Sequence, residues 1–309
     1  MGYATVEIDE RDCLVAFGDA DLVALAAEAL RRSALGADQP DARRGSRLAA
    51  TEHPERVMLH DERVGGVCLL PRAVLRSLAV AAMAALAARE LLAARVATAA
   101  VIGTGAPVAG LLTALVNHVV NLGEVALWPS HGEQGWPTPK LTAHAADRGL
   151  MLSRPVELER ALLGTDLVVL APGLPEATYR KVELGMLARG AVLINATGEQ
   201  PAESLTRAVG RILVDDLSAA RERTAVPVRA GYRVAPEPMA LGEQLCRPRA
   251  GWEFAGESVL VDLRGVPGLE VALASRLYEI ALVRGLGVVR HGLLGSKGGQ
   301  LCAPTPGMN

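Results

Sequence analysis

One stretch limits the possible folds more than any other: VATAAVIGTGAPVAGLLTALVNHVV, residues 96–120. The apolar run TAAVIG reads as a strand, closed by Gly103 and followed at once by a second glycine at 105. A helical pattern then opens at Pro107, a residue suited to a first helical turn, and runs to Asn121. In that setting Gly103 would make the tight turn and Gly105 would let backbone approach a pyrophosphate. The helix start would supply N–H donors and the positive end of its dipole. Gly103, Thr104, Gly105, Ala106 and Pro107 are therefore the candidate cradle for a dinucleotide. The third glycine stands at 110, giving G-x-G-x-x-x-x-G, and Val108 occupies its more usual place. Ala106 and Ala109 are small enough for close helix–strand packing. The competing reading is a plain βα turn.

The rest of the middle region alternates in the same way. EVALWP, LMLS, TDLVVLAP, AVLINATG and RILVDD read as strands or short apolar segments. AHAADRG, PVELERALLG and VELGMLARG supply helical stretches between them. Strands separated by helices of this length indicate βαβ units and a parallel sheet. Upstream, Asp21 to Leu35 reads as a helix capped by Asp19 or Asp21 and ended by Gly36. RVMLHDERVGGVCLL looks like two short strands about a turn at Arg63 to Gly66, and Leu75 to Ala94 like a helix buried on most sides. Downstream, the chain looks irregular from Asp216 to SVLVDLRG. A helix from Leu269 to Arg284 follows, with Leu269, Leu273, Leu277 and Ile280 inward. LLGSKGGQLCAPTPGMN reads as a loose tail.

Composition narrows the function classes. Half of the 309 residues are apolar, 21% are charged and the net charge is −2, without the basic excess that nucleic-acid binding brings. Aromatic residues are only 3%, so the core must be Ala, Leu and Val, with few platforms for stacking bases. The start of the chain is acidic and unlike a signal peptide. The most apolar run, Leu78 to Ala88, falls short of the roughly 18 residues of a membrane span. Cys13, Cys68, Cys246 and Cys302 are scattered, which predicts reduced thiols in a cytoplasmic protein and neither a disulfide framework nor a metal site.

A dinucleotide fold usually carries an acidic residue about 20 residues beyond the glycines, on the ribose hydroxyls. Here the next strand ends in Trp128, Pro129, Ser130 and His131, with Glu133 only in the loop. Ser130 and His131 would suit a 2′-phosphate, but no arginine stands beside them, and the choice between NAD and NADP stays open. Trp128 would pack along an adenine or fill the crevice floor. Pro172, closing LVVLAPG, would line the nicotinamide side through its backbone. Glu199, following a strand at the carboxyl edge of the sheet, is the candidate acid/base, against a solvated loop carboxylate. Arg43, Arg44 and Arg47 would meet an anionic substrate or form a solvated run. Asp215 and Asp216 end a strand at the same edge, where they would reach the nicotinamide or substrate, or serve turn chemistry, the commoner role. His60, Asp61 and His118 read as structural before functional.

Several segments, taken in order, resemble the ornithine cyclodeaminase/mu-crystallin family: VGGVCLLPRAVLRSLAVAAMAALAARELLA, VATAAVIGTGAPVAG, TDLVVLAPG, MLARGAVLINATGEQPAESL, RILVDD and SVLVDLRGVPGLEVALASRLYEIALVRGLG, spanning roughly residues 57–290. The resemblance implies an α/β protein with two domains. A Rossmann-type dinucleotide-binding domain would cover 95–261. A smaller, shortened α+β substrate and dimerisation domain would be built from 1–94 and 262–309, in a homodimer. It also implies a bound nicotinamide used to oxidise an amino acid to an imine or to reduce an imine.

Three departures stand against that pattern. The family's substrate-gripping Arg, in Arg-Thr-Ala-Ala, falls on Ala79 or Val80, with Arg76 one turn earlier as a substitute. The region of the substrate lysine looks deleted, and no lysine precedes Lys140. Gln200 stands where the catalytic Asp is usual, beside Glu199. A carboxylate in a dry pocket needs a cation, and proton transfer needs an acid or base nearby. The expectation is an NAD(P)-dependent oxidoreductase for an amino-acid-like imine or amine, with Glu199 for the proton and Arg76 or Arg47 for the carboxylate. A binding or scaffold protein on the same fold and a redox-neutral cyclodeaminase are its alternatives.

Overall fold

The computed structural model describes residues 3–34, 48–61, 66–92, 96–129, 137–172, 174–217, 220, 235–246, 256–266 and 268–292. Two sheets organise them. The first is five-stranded and mixed, built from β1 (Tyr3–Glu7), β2 (Leu48–Glu52), β3 (Arg56–Asp61), β4 (Gly66–Pro71) and β13 (Val288–Gly292) in the order β13-β1-β4-β3-β2. The second is eight-stranded, from β5 (Ala97–Ile102), β6 (Leu122–Trp128), β7 (Met151–Ser153), β8 (Leu167–Leu170), β9 (Val192–Asn195), β10 (Arg211–Val214), β11 (Pro238–Ala240) and β12 (Val259–Asp262). Its order is β11-β10-β12-β9-β8-β5-β6-β7, and every pairing is parallel.

The helices, in chain order, are α1 (Glu10–Gly18), α2 (Leu22–Ala34), α3 (Arg72–Leu91), α4 (Ala106–His118), α5 (Pro139–Asp147), α6 (Leu158–Leu162), α7 (Glu176–Tyr179), α8 (Glu203–Ala208), α9 (Leu241–Cys246) and α10 (Leu269–Arg284). Among the described residues no helix is long and apolar enough to cross a membrane.

The parallel sheet is covered on both faces, which is why its strands read as unbroken apolar runs. Alternate residues of β5 show the period of two. Ala97, Ala99 and Val101 join the core shared with α3, α4 and the first sheet, while Ala100 and Ile102 join the core on the opposite face. From β5 the chain passes to β6 on one side and later to β8 on the other. The order therefore reverses beside β5, at the position where open α/β sheets form their ligand crevice.

Helix α3 is the central packing element. Thirteen of its twenty residues are buried, and from Leu78 to Ala88 every one is. An alanine-rich helix gains little per side chain but lets other backbones come close, and α4 does so at Gly110. A Cβ there would lie 3.1 Å from Leu78 Cδ2. The third glycine of the loop motif thus serves contact between α3 and α4.

The expected helix at 21–35 is α2, and Asp21 caps it by accepting the Ala24 N–H at 3.1 Å. The helix at 269–284 has the expected bounds, with Gly285 left-handed at its end (φ +65) and Ile280 only half-buried. Elsewhere the structure adds elements. Strand β1 and helix α1 occupy the acidic N-terminal stretch, and β11 and α9 interrupt the irregular region. VELGMLARG forms a 3-10 turn, Leu184–Met186, in place of a helix. Strand β13 precedes the expected tail, whose residues 293–309 lie outside the described residues. The first sheet is closed by β13, antiparallel to β1 from Tyr3↔Gly292 to Glu7↔Val288.

Candidate functional site

The glycine loop links β5 to α4 at the point where the sheet order reverses. Gly103 has φ +150, and a Cβ on it would lie 2.6 Å from the Ala171 Cβ beyond β8. Any side chain would push the loop off the sheet, so glycine is required for two independent reasons. Gly105 caps α4 at φ +78, and Pro107 stands in the first turn. Pro107 carries no N–H, and the Val108 N–H donates to the Gly105 carbonyl at 3.1 Å. That leaves the N–H groups of Gly105 and Ala106 as the candidate donors at this helix start, and Thr104 beside them is exposed. The geometry fits a phosphate-bearing ligand: backbone donors, a helix dipole and no side chain in the way.

Beside the loop lies a recess of about 180 Å³ lined by Gly103, Thr104, Gly105, Ala106, Trp128, Pro129 and Arg154, with Glu10 and Leu14 of α1 on another side. Hydrogen bonds join its walls. The Gly103 N–H donates to the Trp128 carbonyl at 2.8 Å, tying the loop to the tip of β6. The Trp128 Nε1–H donates to the Val156 carbonyl at 3.1 Å, tying that tip to the segment after β7. The indole thus braces this wall of the recess.

Two residues lining it were not foreseen. Arg154 directly follows β7, whose Ser153 pairs with Ala126 of β6, so it emerges beside the β6 tip. Only the pairing of strands well apart in the chain brings it there. Glu10 arrives on α1, an element the sequence did not reveal.

A second polar cluster occupies the carboxyl edge at β9, β10 and β12. Asp262 accepts the Asn195 Nδ2–H at 2.7 Å on Oδ1 and the Arg264 Nε–H at 3.2 Å on Oδ2. The Glu199 carbonyl accepts from Asn195 Nδ2 at 2.8 Å and from Arg264 Nη2 at 2.6 Å. The backbone of Glu199 is therefore held while its side chain is exposed. Asp215 is 5% exposed, and its Oδ2 accepts the N–H groups of Arg264 and Gly265, each at 2.7 Å. Its buried Oδ1 has no hydrogen-bond partner among the described residues. Burial raises the Asp215 pKa above 3.8, partly offset by the Gly265 and Arg264 hydrogen bonds. Asp215 braces the loop after β12, the turn-chemistry role among those weighed for it.

The remaining candidates fall in different places. Pro172, half-buried, follows β8 next to the Ala171 that Gly103 abuts. Arg76, on α3, meets Glu270 of α10 at 3.2 Å with its side chain 62% exposed. Ala79 and Val80, where the family resemblance puts a substrate arginine, are both buried. Arg47 and Ser130 lie outside the described residues, as do Arg43, Arg44 and His131. His118 is a packed helix-end histidine 3.9 Å from Asp21, its pKa held below the ordinary value by burial. Asp61 is buried and accepts the Tyr278 hydroxyl at 3.4 Å. Cys13 and Cys68 are buried free thiols, each pushed up to about 12 chiefly by burial.

The two sheets, their order and the glycine loop define the class: an α/β protein with a Rossmann-type domain and a smaller second unit. Within that class the chain has the fold of ornithine cyclodeaminase and alanine dehydrogenase-type enzymes. It superposes on an archaeal alanine dehydrogenase dimer with bound NAD (TM-score 0.60, 19% identity, 93% of this chain and 99% of that one). A lysine cyclodeaminase structure that addresses recognition of L-lysine, L-ornithine and L-2,4-diaminobutyric acid gives TM-score 0.59 and 18% identity over 94% and 95%. The Thermococcus litoralis Δ1-pyrroline-2-carboxylate reductase in complex with NADH and L-proline gives 0.60 and 14% over 92% and 99%. No protein-family model matches the chain, and no curated protein matches it in sequence. At such identities the likeness is one of fold.

Proposed function

We propose that the protein is an NAD(P)-dependent oxidoreductase acting on an imine or amine carbon of an amino-acid-like substrate. The observation that carries this reading is the glycine loop. Gly103 is forced to be glycine by Ala171, and the loop opens a helix at the sheet's switch point, beside a recess. The names of the fold relatives support the chemistry: one holds NAD, another NADH with L-proline.

In this reading Gly103, Thr104, Gly105, Ala106 and Pro107 hold the pyrophosphate, Ser130 contacts the adenosine end, and Pro172 lines the nicotinamide side. The dinucleotide domain covers 95–261. The substrate and dimerisation domain comprises 1–94 and 262–309, in a homodimer. A bound nicotinamide would give or take the hydride. Glu199 would move the proton, its backbone held by Asn195 and Arg264 so that the exposed carboxylate projects from the sheet edge. Arg76 or Arg47 would receive the substrate carboxylate.

A second reading has its own support. Arg76 is engaged by Glu270, and the alternative arginine position at Ala79 is closed by packing, as expected of a protein that kept the fold for binding. Titration with NADH and NADPH, followed by nicotinamide fluorescence, tests the cradle first. Saturable binding that Gly105→Trp abolishes is expected, and no binding at millimolar concentration overturns the proposal. Net NAD(P)H oxidation with a panel of cyclic and amino-acid-derived imines then separates an oxidoreductase from a binding protein and from a redox-neutral cyclodeaminase.

A further inference from the structure

We infer that the recess beside the glycine loop selects the 2′-phosphorylated dinucleotide, NADP(H), and that Arg154 is the residue that selects it. The inference rests on the dinucleotide reading above and settles a choice that reading leaves open.

Position carries the argument. A dinucleotide on this fold runs from its pyrophosphate, at the start of α4 after β5, toward adenosine at the tip of the neighbouring strand, β6. Arg154 follows β7, one strand further out, so it stands two strand spacings, about 10 Å, from the line of β5. That places it at the adenosine ribose and away from the pyrophosphate. The residues closing β6, Trp128 and Pro129, offer no carboxylate to accept hydrogen bonds from a 2′,3′-diol. Selection for the unphosphorylated ribose depends on such a carboxylate at the strand tip.

The side chain is available and its backbone is held. Arg154 is exposed, and no carboxylate among the described residues pairs with it. Its segment is tied to β6 by the Trp128 indole through the Val156 carbonyl, and β6 to the glycine loop through Gly103. A guanidinium presents a planar fork of donors that matches phosphate oxygens in pairs. Among the described residues Glu10 is the one carboxylate lining the recess, and it enters on α1, from outside the parallel sheet. Near a 2′-phosphate it weakens binding, and its removal should strengthen binding.

Isothermal titration of the full chain with NADPH and NADH, with 2′,5′-ADP and 5′-AMP as nicotinamide-free probes, tests the inference. The wild type should favour NADPH and 2′,5′-ADP by about 10- to 100-fold, the range of one or two charge-assisted hydrogen bonds. Arg154→Ala should bring the NADPH/NADH affinity ratio close to one, Arg154→Lys should restore part of it, and Glu10→Gln should raise it. Arg154 is exposed, so the circular dichroism spectrum should not change. Preference for NADH, or an Arg154→Ala loss equal for both dinucleotides, overturns the inference and leaves the dinucleotide reading standing. Collapse of NADH binding in Glu10→Gln, with NADPH indifferent to Arg154, overturns it too by making Glu10 the ribose acceptor. Binding of neither dinucleotide overturns both.

Discussion

At Gly103 a single missing methyl decides whether the loop can lie against the sheet. Gly103→Ala puts Cβ 2.6 Å from that of Ala171, in a backbone region that L residues avoid. The expected result is a loss of about 1–3 kcal/mol in urea unfolding together with weakened dinucleotide binding. Asp215 makes a different prediction. Its pKa is raised in the folded state, so the stability tied to its protonation is fully present below pH 3.8 and is lost as pH rises through the folded value. Asp215→Asn keeps an acceptor for the Arg264 and Gly265 N–H groups and removes the charge. Urea midpoints between pH 3.5 and 7 should show the variant gaining on wild type as pH rises above about 4. Asp215→Ala leaves both N–H groups without their acceptor and should cost about 1–3 kcal/mol or more across the range. The glycines were legible because their conformational demand is local. The bracing role of Asp215 is one of two readings the sequence allows, because its partners come from the loop after β12, far along the chain.

Helices and strands were legible where their pattern is long and self-contained. Helices α2 and α10 carry caps and apolar stripes in their own sequence. The buried strands β5, β8, β9 and β12 are apolar on both faces. Strand β1 carries no comparable signal: YATVE acquires meaning only against its partners, β4 and VVRHG in β13. Arg154 was missed for the same reason, since its place follows from the pairing of β6 with β7. Two element-scale tests follow. Gly110→Val drives branched methyls toward Leu78 Cδ2 and should separate α3 from α4, costing about 1–3 kcal/mol in denaturant unfolding. Trp128→Phe keeps an aromatic ring, a smaller one, but loses the hydrogen bond to Val156, freeing the Arg154 segment. NADPH affinity should fall with little change in the unfolding midpoint.

For the molecule as a whole, the first and last described strands meet in one sheet. Strand β13 covers one edge of β1, and the Gly287 N–H donates to Asp12 Oδ2 at 2.9 Å. Deleting residues 286–309 bares that edge, and exposed strand edges invite pairing between chains. The shortened protein should unfold at lower temperature and show larger species by light scattering, whereas deleting only 293–309 leaves β13 in place and should do neither.

The order of the parallel sheet has a consequence for synthesis. Strand β12 lies between β9 and β10, although both precede it in the chain. As the polypeptide emerges from the ribosome, β10 and β11 leave the exit with no neighbour in the growing sheet, and they cannot dock until residues 259–262 arrive to bridge them. The β5–β9 half can assemble early, and the far half must wait as exposed apolar chain. Its vulnerable interval is therefore set by the rate of translation, and slowing that rate over residues 211–262 should raise the demand for chaperones.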